Sequence, residues 1–268
     1  MSELTTTAPL TARGGPRPGA RRRRIAALSA AAAKDAVRNR FALFFNFAFP
    51  LVVLLAFEFI YSGQHLPNGQ PYSDYVAPGI LAYGMANGAI FGVGYTLVQW
   101  RASRLLLLLK LTPTSRLEVL LSRYLVALAV SLAQTVVSVA VVSLPPFGFH
   151  LSVRWWAAVP VVAAGTAAFF ALGCLVSSVA KTPDVVGGIA NAALVPMAFF
   201  SGVFFPLPAV VGWIHGVSTV LPLRYLSEGL SATLAGTGSW HSVLVCTAVL
   251  TGFAVVLLGL AAKALRWR

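Results

Sequence analysis

The 268-residue chain is 58% hydrophobic and only 10% charged, with a mean hydropathy of +0.81. So few charges cannot keep that much apolar surface in water, which excludes a soluble globular domain and places the chain in a membrane. The net charge of +13 invites a nucleic-acid reading, but the Lys and Arg residues cluster at the ends of apolar runs, where they orient spans and meet anionic headgroups. No nucleic-acid partner is expected.

Residues 1–24, rich in Thr, Pro, Gly and Arg and ending in Arg21 to Arg24, read as a disordered basic tail. A secretory or twin-arginine signal peptide is the competing reading of basic residues before a short apolar stretch. The stretch is mostly alanine, is interrupted by Lys34 and Asp35, and is followed at once by a far stronger apolar run. An interfacial helix over residues 25–40, with Ile25, Leu28, Ala32 and Ala36 on one side, fits better. Residues 25–268 then make one transmembrane domain.

The first span covers about residues 41–61, long enough to cross the hydrocarbon, with Pro50 as a kink. It carries a lone amide, Asn46, and a charge near its far end, Glu58. An ionisable group in a span is a functional hypothesis by default; snorkelling to the interface is the plainer account. A turn-rich outer loop follows, with Pro67, Asn68-Gly69 and Pro71. The second span, residues 75–100, spaces Gly84, Gly88 and Gly92 four apart, a groove for close helix packing, and carries Asn87.

Gln99 to Arg123 form a cationic island with Arg101, Arg104, Lys110, Arg116 and Arg123. Short loops rich in Lys and Arg stay cytoplasmic, so the island fixes the topology. Arg101, Arg104 and Leu108 share a helical face, as in a helix lying on the membrane surface; a solvated loop that only orients the protein is the plainer reading. Thr112-Pro113 and a capping box from Ser115 to Glu118 then open the third span, residues 117–144.

The fourth span covers residues 155–180, with Gly165 and Gly173 for packing, and Lys181-Thr-Pro-Asp184 is an inner turn. The fifth, residues 185–205, contains Asn191 and Pro196 and ends in Phe200-Ser-Gly-Val-Phe-Phe-Pro206. Pro206, Pro208 and Pro222 then break a segment that holds Trp213, Arg224, Tyr225 and Glu228. It reads as a broken helical hairpin dipping into the outer leaflet, packed between other spans because exposed backbone is not tolerated there. Arg224 and Glu228 stand four apart and share a helical face. The last span covers residues 240–262. Six spans put both termini in the cytoplasm and leave only Arg154 and Arg224 outside.

No catalytic pattern is visible, and no Gly-x-x-x-x-Gly-Lys loop, so this chain holds no ATP in the usual way. Cys174 and Cys246 fall in apolar runs and read as buried thiols. His65, His150, His215 and His241 lie toward the outer side without the converging spacing a metal site needs, so no metal is expected. Arg far outnumbers Lys, a bias that suggests a GC-rich bacterial genome.

The run Tyr75-Val-Ala-Pro-Gly-Ile80, Arg101 with Thr112-Pro113, and the basic start of the third span resemble the permease family of type-2 ABC exporters. Phe200 to Pro206 with Leu221-Pro222 resembles that family's fifth span and outer hairpin, and the flavour is that of the daunorubicin-resistance-like permeases. The resemblance covers most of the chain from Ile25 onward. It implies an all-α polytopic membrane protein with an N-terminal interfacial helix, six transmembrane helices, a cytoplasmic coupling helix after the second, and a re-entrant outer hairpin before the last.

The function so implied is the membrane half of an ATP-driven exporter, not itself an enzyme. It would work as a homodimer or heterodimer with two copies of a separate ABC ATPase subunit, which holds the ATP and Mg. The cargo would be a hydrophobic or amphipathic molecule (a drug or antibiotic, a lipid, a lipid-linked glycan) moved out across the bacterial cytoplasmic membrane. In this reading Arg101, Arg104, Leu107, Leu108, Lys110, Thr112 and Pro113 couple to the ATPase. Asn46, Gly84, Asn87, Gly88, Asn191 and Pro196 form the path or its packing. Glu58, Ser201, Gly202, Pro206, Pro222, Arg224 and Glu228 belong to the outer hairpin.

One stretch departs from the family pattern, which usually reads Arg-Glu-x-Gly and then a Lys-Arg pair ahead of the Thr-Pro. Here Ala102 stands at the acidic position, Arg104 at the glycine and Leu107-Leu108 at the basic pair. Contact with an ATPase would then rest more on apolar burial. The competing class is a secondary transporter or channel without an ATPase, dependent on intramembrane charge such as Glu58; scarce ionisable residues and no obvious inverted repeat argue against it.

Overall fold

The computed structural model describes residues 18–38, 40–61, 64, 69, 71–103, 115–144, 149–204 and 212–264. Helix α1 (Pro18–Arg38) begins inside the stretch predicted to be a tail. Pro18 occupies the first helical position, where a missing N–H is harmless, and the arginines behind it are good helix formers. The basic run is therefore helical. Ala32 is buried and Ile25, Leu28 and Ala36 are half-buried, on the side of α1 that packs along α4.

The chain continues through α2 (Arg40–Tyr61), α3 (Tyr72–Ala102) and α4 (Arg116–Val142). A single 3-10 turn at Trp155–Ala157 leads into α5 (Ala158–Val179), followed by α6 (Pro183–Phe200). Two short helices come next, α7 (Gly212–Ser218) and α8 (Pro222–Leu230), the latter widened into a π turn at Ser231–Ala235. The last is α9 (Trp240–Ala264). Among the described residues five helical segments are long and apolar enough to cross a membrane: α3, α4, α5 with its leading turn, α6 and α9. Within α2, the residues Asn46–Tyr61 form a shorter apolar stretch.

Local signals set the helix ends. Ser115 accepts from the Glu118 N–H while the Glu118 carboxylate accepts from the Ser115 N–H, a complete capping box. Thr182 caps α6, with Pro183 at its first position. The same helix stops at Phe200, short of the predicted residue 205. Gly202 takes φ +74° and the Val203 N–H reaches back to the Ala198 carbonyl, the Schellman arrangement that ends a helix.

Contacts at both ends of the bundle show that α2 to α6 and α9 alternate in direction. At one end Tyr61 of α2 stacks on Tyr72 of α3 at 4.3 Å, and Trp156 lies 5.4 Å from Trp240 of α9. At the other, Arg123 of α4 sits over Trp100, and Ala261 of α9 joins Leu97 and Cys174 in one apolar cluster. Helices α3 and α5 are the axis: their apolar windows are 72% and 67% buried, against 22–28% for α4, α6 and α9. The two approach backbone to backbone at Gly173, where an added Cβ would stand 2.7 Å from the Ile90 carbonyl oxygen. The peripheral helices turn Val136, Leu244 and Val255 outward, as a lipid-facing surface requires.

Candidate functional site

A cavity of about 800 Å³ opens along the Arg101 half of α3, within the size range of small-molecule sites. Its walls are contributed by α1, α2, α3, α4, α5 and α6. Three carboxamides from three helices reach it: Asn46 of α2, Asn87 of α3 and Asn191 of α6. Phe49, Phe91 and Phe170 supply apolar wall, and the rim carries Gln99, Asp35 and Arg123. Amides and aromatic rings lining one space are suited to a ligand that is mostly apolar with a few polar groups.

The glycines of α3 explain how the helices come this close. A Cβ on Gly84 would collide with the Gln134 amide of α4 and stand 2.7 Å from Pro50 of α2. One on Gly88 would collide with the Asn46 side chain. The spacing thus lets α2 and α4 lie against α3, and Asn46 fits over Gly88 beside Asn87. Gln134 is only 1% exposed, and neither of its amide atoms has a partner among the described residues. It is a further lone amide beside this wall, and sequence reading missed it although it carries the same signal as Asn46 and Asn87, an amide in an apolar run.

The Tyr72 end of α3 is closed by a different arrangement. The Tyr72 hydroxyl donates to the Phe204 carbonyl at 3.1 Å, and the Tyr75 hydroxyl donates to the Gly202 carbonyl. A Cβ on Gly79 would lie 2.5 Å from the Val203 carbonyl oxygen. The Tyr75-to-Ile80 run and residues Gly202 to Phe204, far apart in sequence, therefore meet. Ser201 is buried within this turn.

Helix α8 packs against α3, α5 and α9. Pro222 starts it, and Leu223, Leu226 and Leu230 are fully buried. A Cβ on Gly229 would stand 2.8 Å from Val161 of α5, and one on Gly165 would strike Leu226. Arg224 uses its Nε to bond Glu228 at 2.7 Å and its Nη1 to bond Ser218 at 2.7 Å, joining α8 to the end of α7.

The remaining candidates divide as follows. Pro196 is exposed on α6 and does not line the cavity. Arg101 ends α3, with one guanidinium nitrogen buried and without a partner among the described residues. Arg104, Leu107, Leu108, Lys110, Thr112, Pro113 and Pro206 lie outside the described residues, as does the side chain of Glu58.

No curated protein matches the chain. A family model does: that of the ABC-2 type transporter matches residues 23–235, from the basic run of α1 to the end of the π turn. By that match the chain belongs to the ABC-2 type transporter family, as its membrane-embedded permease.

Proposed function

We propose that this permease works in an ATP-driven exporter and that the cavity beside α3 receives the cargo. The family normally works with an ABC ATPase partner, and two ATPase copies on a permease dimer is the arrangement proposed here. The observation that carries the reading is the convergence of Asn46, Asn87 and Asn191 on one cavity walled by Phe49, Phe91 and Phe170. Lone amides in a span avoid lipid, and here three of them share one space. The cargo class is a hydrophobic or amphipathic molecule, such as a drug, an antibiotic or a lipid.

In this reading α2 crosses as a sixth span, both termini face the cytoplasm of a bacterial inner membrane, and α7 and α8 form the re-entrant outer element. The even alternation of helix directions supports it, since α2 runs antiparallel to α3 from the Asn46–Gly88 contact to the Tyr61–Tyr72 stack. Residues 104–114 are the proposed seat of ATPase coupling, because they join the Arg101 end of α3 to α4 beside the cavity.

Reconstitution with the ATPase subunit tests the whole reading. Candidate cargoes should stimulate ATP hydrolysis, and Asn87→Leu should abolish that stimulation while basal hydrolysis persists. Leu107→Glu or Leu108→Glu should uncouple hydrolysis from transport. Cargo stimulation that survives leucine at Asn46, Asn87 and Asn191 together would remove the cavity from the path.

A further inference from the structure

Among the described residues lining the cavity two are charged, Asp35 of α1 and Arg123 of α4. Arg123 lies about two turns inside α4, within a segment apolar enough to span, where a cation needs a reason to be kept. Its side chain is 13% exposed, and its guanidinium carbon stands 4.5 Å from the centre of the Trp100 ring, so it is fixed in place by the indole. Its ion pair is a single contact, Nη2 to Asp35 Oδ2 at 3.2 Å, and the Asp35 side chain is 65% exposed. A guanidinium fork matches a carboxylate or phosphate through two parallel bonds. Here a well-held fork meets a loosely held acid through one. Lys34, Arg38 and Arg40 are exposed on the same end of α1 and α2 and add positive potential near this rim.

Resting on the cargo reading above, we propose that Arg123 binds the acidic headgroup of an amphipathic molecule whose apolar tail lies in the cavity. Asp35 is the exchangeable partner that the headgroup displaces, so α1 acts as a strap over this edge of the site. The headgroup chemistry is a phosphate or a carboxylate. It arrives either on an anionic phospholipid of the surrounding leaflet or on a transported amphiphile.

The test is binding to the full chain in nanodiscs of phosphatidylcholine, titrated with lysophosphatidic acid and, separately, with lysophosphatidylcholine. The acid should bind more tightly than the zwitterion. Asp35→Asn should tighten binding of the acid by roughly two- to fivefold, the worth of a part-exposed ion pair. Arg123→Gln should weaken it by roughly tenfold or more and erase the preference, and Arg123→Lys should keep part of it. If Arg123→Gln does not fold, Asp35→Asn decides alone, since its carboxylate is mostly in solvent. Equal binding of the two lipids, or no response to Asp35→Asn, overturns the proposal. Repeating the titration in discs containing phosphatidylglycerol separates the sources. Competition assigns the site to leaflet lipid, and undiminished binding assigns it to a transported amphiphile. None of these measurements needs ATP, so the anion site can fail while cargo-stimulated hydrolysis stands, and the reverse.

Discussion

The two halves of α3 are built on opposite terms. At the Tyr72 end its neighbours are backbone: the carbonyls of Gly202, Val203 and Phe204 lie on Tyr75, Gly79 and Tyr72. From its middle toward the Arg101 end, the face turned to the open cavity of about 800 Å³ meets side chains, Asn46 on Gly88 and Gln134 on Gly84, while another face meets the α5 backbone at Gly173. A side chain can change rotamer when pressed, whereas backbone in a capped turn moves only with its whole element. The Tyr72 end of the helix is therefore fixed while its cavity face can repack around a ligand. A transporter needs that division, since a site that opens and closes must be referred to something that does neither.

The sharpest way to break the fixed half is at Gly79. A methyl group there would sit 2.5 Å from the Val203 carbonyl oxygen, and the Gly202 turn holds that carbonyl in place. Gly79→Ala is expected to destabilise the protein by ~1–3 kcal/mol, the usual range for overpacking. Thermal unfolding of the purified protein in detergent measures it. An unchanged midpoint would mean that the turn yields, and the contrast between the halves would collapse.

Hydrogen bonds of the fixed half come next. Tyr75→Phe leaves the Gly202 carbonyl without its hydroxyl donor and should cost about 1 kcal/mol. Arg224→Ala removes both the Glu228 and the Ser218 contacts and separates α8 from α7. Transport should fall in that variant, and Arg224→Lys should restore it only in part because one ammonium cannot reproduce the two directed bonds. Full transport by Arg224→Ala would show that the α7–α8 junction has no bearing on the fixed end.

Much of this was legible in the residues themselves. The Ser115–Glu118 capping box and the i,i+4 relation of Arg224 and Glu228 are local, and local chemistry is what a sequence spells out, whereas Pro183 and Asp184, read as part of an inner turn, form the first turn of α6. Asn46, Asn87 and Asn191 could be singled out because an amide in an apolar run is conspicuous. Their meeting in one cavity depends on how three helices pack, and nothing in the spacing within any one of them states it. Asp35 and Arg123 were harder still. Each sits in a stretch whose charges have an ordinary explanation as span flanks, and only the packing of α1 along α4 pairs them. The start of α1 falls before the end of the stretch read as a tail, because Pro18 suits a first helical turn and arginine is a good helix former, signals that the Pro- and Gly-rich composition around them obscures.

The smallest expected effect lies in the open half and is the most exacting check of the contrast. Gly92 lines the cavity, and a Cβ placed on it meets no atom within 4 Å. Gly92→Ala should therefore leave stability unchanged or raise it by a few tenths of a kcal/mol, since alanine is the better helix former by up to ~1 kcal/mol. Gly88→Ala is the graded neighbour: the atoms nearest its methyl all belong to the Asn46 side chain, which can rotate away, so it should cost less than Gly79→Ala and shift cargo response through Asn46. Gly92→Leu then fills space without touching the helix contacts. It should fold as well as the parent and lose cargo-stimulated ATP hydrolysis in the reconstituted complex. Were Gly92→Ala to unfold the protein as readily as Gly79→Ala, the Arg101 half of α3 would be as tightly walled as the Tyr72 half, and the space beside it would not be a binding site.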